Sequence, residues 1–188
     1  QGSTPMILAS QSPRRRDLLQ LITADFRVIP ADVDESLCEG ETPNHYVARL
    51  AQVKARAVRS YADVGELIIG SDTTVSVDGL ILNKPADQND FLCMMDRLSG
   101  KTHQVYSGIC ILLDDHADVR IVRTDVTFRE LTAEERLHYW QTGEPANKAG
   151  GYGIQGLAAR FVESIHGSYT NVVGLPLVEL EAMLNRAS

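Results

Sequence analysis

Four cations and four carboxylates carry the chemical content of this sequence: Arg14, Arg15, Lys54 and Lys84, against Asp32, Asp34, Glu35 and Asp72. Cations beside carboxylates suit phosphoryl chemistry, in which carboxylates hold a hard divalent metal and Arg or Lys neutralise phosphate oxygens. No Walker A sequence and no Gly-x-Ser-x-Gly elbow occurs, which removes P-loop and acyl-transfer readings. His45, His103, His116, His138 and His166 are scattered without a His-x-x-x-His pair and read as surface or structural residues. Cys38, Cys93 and Cys110 are odd in number and widely spaced, so neither a disulfide framework nor a zinc site is indicated and a cytoplasmic setting is expected.

The arginines sit where a helix begins. Met6-Ile-Leu-Ala9 reads as a buried strand, and Ser12-Pro13 as an N-cap followed by proline at the first helical position. Arg14, Arg15 and Arg16 then fall in the first turn, where the macrodipole is positive and each exposed cation costs about 0.3–1 kcal/mol. An anion repairs that arrangement, and exposed backbone N–H groups, a capping serine and clustered guanidinium groups describe a phosphate site. Helical spacing puts Arg14 and Arg15 one turn before Leu18 and Leu19, on the protein side, in a helix expected to reach Ile22; Arg16 falls with Gln20 on the solvent side.

Phe26-Arg-Val-Ile-Pro30 reads as a second strand leading into the acidic loop Ala31–Ser36. Thr42-Pro43 repeats the start signal and opens a helix to about Tyr61, with Val47, Leu50, Ala51 and Val58 on the buried stripe and Lys54 in its middle. A lysine there either packs its stem and snorkels or reaches into an anionic site; the proposed phosphate cradle favours the second. Leu67-Ile-Ile69 is a buried strand feeding Gly70–Val77. Asp78-Gly79 is a hairpin turn returning through Leu80-Ile-Leu82 to Asn83-Lys84-Pro85. Alternation puts Asp72 and Thr74 on one face and Thr73 and Val75 on the other.

A helix is expected over about 87–98, strands over 102–113 and 119–129 joined by Asp114–Asp118, and a capping-box helix from Thr132 to about Gln141. A glycine-rich segment, Asn147–Gly156, and a last helix from Pro176 to about Asn185 complete the chain. The order indicates a mixed α/β sheet with flanking helices. Residues 1–5 are expected to be an expression remnant and tail, and 6–188 a single domain. No apolar run approaches a membrane span, no signal peptide is visible, and a net charge of −7 argues against a nucleic-acid polymer as partner.

Six spaced blocks resemble the Maf-like nucleoside triphosphate pyrophosphatases: Ala9-Ser-x-Ser-Pro-Arg-Arg15, Arg49-Leu-Ala-x-x-Lys-Ala55, Gly70-Ser-Asp-Thr73, Leu82-x-Lys-Pro85, Leu98-Ser-Gly-x-Thr-His-x-Val105 and Lys148-Ala-Gly-x-Tyr-Gly-Ile-Gln-Gly156. The resemblance runs from about Ile7 to Leu184. It implies an elongated fold like that of the inosine triphosphate pyrophosphatases, with two lobes around a cleft. It further implies a divalent metal, Mg2+ or Mn2+, cleavage of a nucleoside triphosphate to monophosphate and pyrophosphate, and a homodimer.

Within that resemblance Asp72 is the general base, Glu35 and Asp72 are the metal ligands, and Arg15, Lys54 and Lys84 face the leaving pyrophosphate. Ser12 and nearby amides bind phosphate oxygens, and Arg14, Thr73 and Gln155 select the base in the subgroup that prefers dTTP and UTP, with modified pyrimidine nucleotides a further possibility. Gly-Ile-Gln-Gly156 separates the chain from the 7-methyl-GTP subgroup. Asn147 stands where the pyrimidine subgroup carries aspartate. The rival reading is a non-catalytic, nucleotide-responsive regulator of cell division.

Overall fold

The computed structural model describes residues 4–187; the Gln1-Gly2-Ser3 expected as an expression remnant lies outside them. Seven strands form one mixed sheet in the order β2-β1-β3-β5-β6-β7, with β4 paired to β3. They are β1 (Met6–Leu8), β2 (Phe26–Val28), β3 (Leu67–Val77), β4 (Leu80–Leu82), β5 (Thr102–Leu113), β6 (His116–Phe128) and β7 (Val162–His166). The helices are α1 (Pro13–Gln20), α2 (Pro43–Ala57), α3 (Gln88–Leu98), α4 (Ala133–Gln141), α5 (Tyr169–Val173) and α6 (Leu177–Ala187). No helix of the described residues is long and apolar enough to cross a membrane.

The contacts divide the chain into two compact units. The first holds the residues up to Thr73, Ser107–Val122 and those from Gly174 onward. In it β1 lies parallel to both neighbours, with Met6 opposite Phe26 and Leu67. Parallel strands need a crossover, which α1 and α2 supply. Ile7, Ala9, Ala51, Ala55, Ile68 and Cys110 form part of its core. The second unit holds Thr74–Tyr106 and Arg123–Val173. Its core packs Phe91, Phe128, Tyr139, Tyr152 and Phe161, with Phe128 and Tyr152 rings edge to face at 4.8 Å.

Local signals and structure agree at the helix starts. Ser12 Oγ accepts from Arg15 N at 3.3 Å, Thr42 Oγ1 from His45 N at 3.3 Å, and Thr132 and Glu135 close a reciprocal capping box. Several boundaries differ. α1 ends at Gln20 because the amides of Leu21, Ile22 and Thr23 fold back onto Leu18 and Leu19 carbonyls. α2 ends at Ala57, where the Val58 amide bonds to Ala55 and Arg56 carbonyls, and Arg59–Tyr61 is a separate 3-10 turn. β2 is confined to Phe26–Val28. The β5–β6 connection is a two-residue turn at Asp114-Asp115, with Asp114 at φ 52°, so β6 begins at His116 rather than Val119. Strand β7 and helix α5 are additions to the expected order.

Candidate active site

The first unit assembles its charged residues by letting a helix lie directly on the sheet. A Cβ at Gly70 of β3 would stand 2.1 Å from the Ala51 carbonyl oxygen, and one at Gly108 of β5 would stand 2.3 Å from that of Val47. Only glycine permits this approach, and it sets the buried face of α2 against β3. Lys54 therefore does not snorkel. It is 9% exposed, and its Nζ lies 2.8 Å from Asp72 Oδ1 and 3.0 Å from Glu35 Oε1. Asp72 is buried, whereas the Glu35 carboxylate is open to solvent. Burial pushes the Asp72 carboxyl above the ordinary aspartate range, against the opposing pull of Lys54 and Arg15.

The loop that carries Glu35 has no regular structure of its own, and α2 pins it. The Tyr46 hydroxyl donates to the Glu35 carbonyl at 2.6 Å, and Arg49 donates to the Ser36 carbonyl at 3.0 Å. Arg49 also holds Glu41 in a two-pronged pair at 2.7 and 2.8 Å, while Glu41 accepts from the Cys38 amide. The Arg49 hydrogen bonds hold Glu41 down at about 2. Burial, then the charges of Asp72 and Glu35, push the Tyr46 phenol up to about 12, so Tyr46 stays a donor. Asp34 accepts from the Ser36 amide and shapes the turn; Asp32 is exposed.

On the opposite face of β3, Arg15 donates from Nε to the Gly174 carbonyl at 2.7 Å and from Nη2 to Thr73 Oγ1 at 3.0 Å. Thr73 Oγ1 and Ser107 Oγ are 2.7 Å apart. Burial lowers the pKa of both Arg15 and Arg14, and Arg16 is exposed, as the helical spacing requires. Two groups thus form in this unit: Glu35, Lys54 and Asp72, and Arg15, Thr73, Ser107 and Gly174. Ser12 caps α1, the helix that carries Arg15.

Lys84 and Gln155 belong to the second unit and both are exposed. Lys84 follows β4. Gln155 lies in the glycine-rich segment, which is built from 3-10 turns, with Gly150 and Gly151 at φ 72° and 75°. Asn147 Oδ1 accepts from Lys148 Nζ at 3.3 Å. His103 is fully buried in this unit, with Nε2 2.6 Å from the Tyr152 hydroxyl.

The family model described as Maf-like protein matches residues 5–187. The chain belongs to the Maf-like family. Among Maf-like relatives, the dTTP/UTP pyrophosphatase of Pseudoalteromonas atlantica is 47% identical over 186 residues, covering 97% of each chain. That of Saccharophagus degradans is 47% identical over 98% of this chain and 89% of its own. The Staphylococcus aureus Ham1 protein superposes with a TM-score of 0.56 over 98% of this chain and 100% of its own, at 12% identity, and shares the fold.

Several polar residues of this Maf-like chain escape a reading of sequence alone. Tyr46 was detectable, because Tyr46, Leu50 and Lys54 recur every fourth residue on one helix face. Ser107 lies on the face of β5 opposite Gly108 by alternation. Tyr139 and Glu144 meet through a turn that no periodicity announces.

Proposed function

We propose that this protein hydrolyses nucleoside triphosphates, preferring dTTP and UTP, to the nucleoside monophosphate and pyrophosphate. The observation that carries the proposal is the buried Asp72 carboxylate beside the Lys54 ammonium, with Glu35 closing the group. The named activity of the relatives supports the same reaction.

Asp72 accepts a proton from the water that attacks the α-phosphorus; its raised pKa makes it a stronger base than an ordinary aspartate. Lys54, Lys84 and Arg15 neutralise the charge that develops on departing pyrophosphate. Arg15 does so from a position held by Gly174 and Thr73. Arg14, Thr73 and Gln155 read the base, and Ser12 with the α1 amides binds phosphate oxygens.

Glu35 and Asp72 each place one carboxylate oxygen against the Lys54 ammonium; their remaining carboxylate oxygens are hard donors of the kind that would hold Mg2+ or Mn2+. No three His, Cys, Asp or Glu residues converge among the described residues, so an ion held by these two carboxylates would need further oxygen ligands from substrate or solvent. Beside this group a divalent ion would supply charge neutralisation and a more acidic bound water. We assign the protein to the cytoplasm, in keeping with free thiols at Cys38, Cys93 and Cys110, and to a homodimer acting on nucleotides rather than nucleic acids.

The test is metal-dependent pyrophosphate release from dTTP, UTP, CTP, dATP, GTP and 7-methyl-GTP, with products separated chromatographically. Monophosphate and pyrophosphate from dTTP and UTP, abolished by Asp72→Asn with nucleotide binding retained, are expected. Nucleotide binding without turnover would replace the enzyme by a regulator, and preference for 7-methyl-GTP would reassign the subgroup.

A further inference from the structure

In the second unit one phenol and one carboxylate hold both ends of the segment that carries Gln155. Tyr139, on α4 and 3% exposed, donates its hydroxyl to Glu144 Oε2 in a short hydrogen bond. The same hydroxyl accepts from the Gly153 amide at 3.2 Å. Glu144 Oε1 accepts from the Leu157 amide at 3.3 Å. Lys148 Nζ donates to the Glu144 carbonyl at 2.9 Å, fixing the carboxylate's own backbone.

Only three residues stand between the two anchored amides: Ile154, Gln155 and Gly156. Ile154 is buried and Gln155 is exposed, so the span is tied down at each end and by one apolar side chain while Gln155 points its amide to solvent. Glycine at 156 is required for this arrangement, because a Cβ there would stand 2.0 Å from Glu144 Oε1. Burial and the neighbouring carboxylate hold the Tyr139 phenol in its protonated, donating form.

We propose that Tyr139 and Glu144 are positioning residues for nucleotide selectivity: they hold the Ile154-Gln155 segment so that the Gln155 amide meets the edge of a pyrimidine base in a fixed orientation. This rests on the reading that Gln155 contacts the base. A carboxamide tells uracil from cytosine only when its donor and acceptor are held in register with O4 and N3–H, or with N4–H2 and N3. A loop free to rotate would satisfy either base and select neither. The clamp thus converts a flexible side chain into a discriminating one, and its effect belongs in KM and in the preference between bases rather than in the chemical step.

The experiment compares wild type, Tyr139→Phe, Glu144→Gln, Gln155→Ala and Tyr139→Phe/Gln155→Ala. KM and kcat are measured for UTP and CTP, alongside amide hydrogen exchange over 153–157. Tyr139→Phe loses only a hydroxyl, so the fold is kept. Each clamp variant is expected to raise KM for UTP by about five- to tenfold, the loss of one or two hydrogen bonds. The same variants should leave kcat within about twofold, narrow the UTP:CTP preference and speed exchange at Ile154 and Gln155. The double variant should be no worse than Gln155→Ala alone, because both act through one contact.

Faster exchange with unchanged UTP:CTP preference, while Gln155→Ala alters that preference, would overturn the clamp and leave base reading intact. An unchanged preference in Gln155→Ala would instead remove the base-reading role on which the clamp depends. If wild type binds nucleotide without turnover, Kd for UTP and CTP replaces KM and the same outcomes decide.

Discussion

The ammonium of Lys54 lies 2.8 Å from the carboxylate of Asp72, and both groups are buried. Burial raises the Asp72 pKa and Lys54 works against it. Removing the cation in Lys54→Met therefore moves the Asp72 pKa further up. The acidic limb of the kcat/KM profile should start above the ordinary aspartate value of about 3.9 in wild type and shift to higher pH in the variant. A fall of about 10²–10³-fold in kcat should accompany it. An unmoved limb would mean that Asp72 is not the titrating base.

Tyr46→Phe should release the Glu35 loop without opening the core. The hydroxyl donates to the Glu35 carbonyl at 2.6 Å, and its loss costs about 1 kcal/mol of stability. Arg49 still holds Ser36 and Glu41, so the loop loosens locally. Amide exchange over Glu35–Cys38 should accelerate and the Mg2+ concentration for half-maximal activity should rise several-fold. Unaltered metal dependence would separate Glu35 from the metal.

His103 makes stability depend on pH. Burial lowers its pKa to about 4, while an unfolded histidine titrates near 6.5. Between those values the unfolded chain binds the extra proton, so stability is lost as pH falls from about 6.5 to about 4, by up to about 3 kcal/mol. His103→Gln should be less stable at pH 7 yet show a flatter dependence across that window. Urea unfolding midpoints at several pH values measure the difference, and parallel curves would refute it.

Gly108→Ala tests the helix-to-sheet contact. The added methyl would meet the Val47 carbonyl at 2.3 Å, forcing α2 away from β5 at a cost of about 1–3 kcal/mol. Because Lys54 rides on α2, turnover should fall more than stability explains, at temperatures where the variant is still folded. Thermal unfolding and kcat, measured together, separate the two effects.

The sequence makes the first unit's site readable because its signals are local. Ser12-Pro13 and Thr42-Pro43 cap the helices that they announce, and Lys54 stands out as a charge on an apolar stripe. The partners of Arg15 are not readable. They come from Thr73 and Gly174, 58 and 159 residues away, and a guanidinium expected to meet phosphate proves to be tied to the protein as well. Strand β7 is hidden for a different reason. Val162-Glu-Ser-Ile-His166 is an edge strand whose residues are half-buried or exposed, so it lacks the alternation that marks a strand packed on one face. Helix α5 spans five residues, too few for periodicity, and rests on Asn171, which donates to the Val105 carbonyl and to Thr124 Oγ1.

Neighbours in sequence, Asp72 and Thr73 look out from the two sides of β3, one toward Lys54 and the other toward Arg15 and Ser107. Deleting a single residue between Gly70 and Asp72 would turn the strand over. The carboxylate would then face the guanidinium and the hydroxyl would face the ammonium. Both groups would be lost in one step, although every residue of each remained in the chain. Length in this short stretch is therefore constrained as well as identity: Ser71 is fully buried and its hydroxyl donates to the Gly108 carbonyl at 2.9 Å, and removing it would cost both site groups besides that bond.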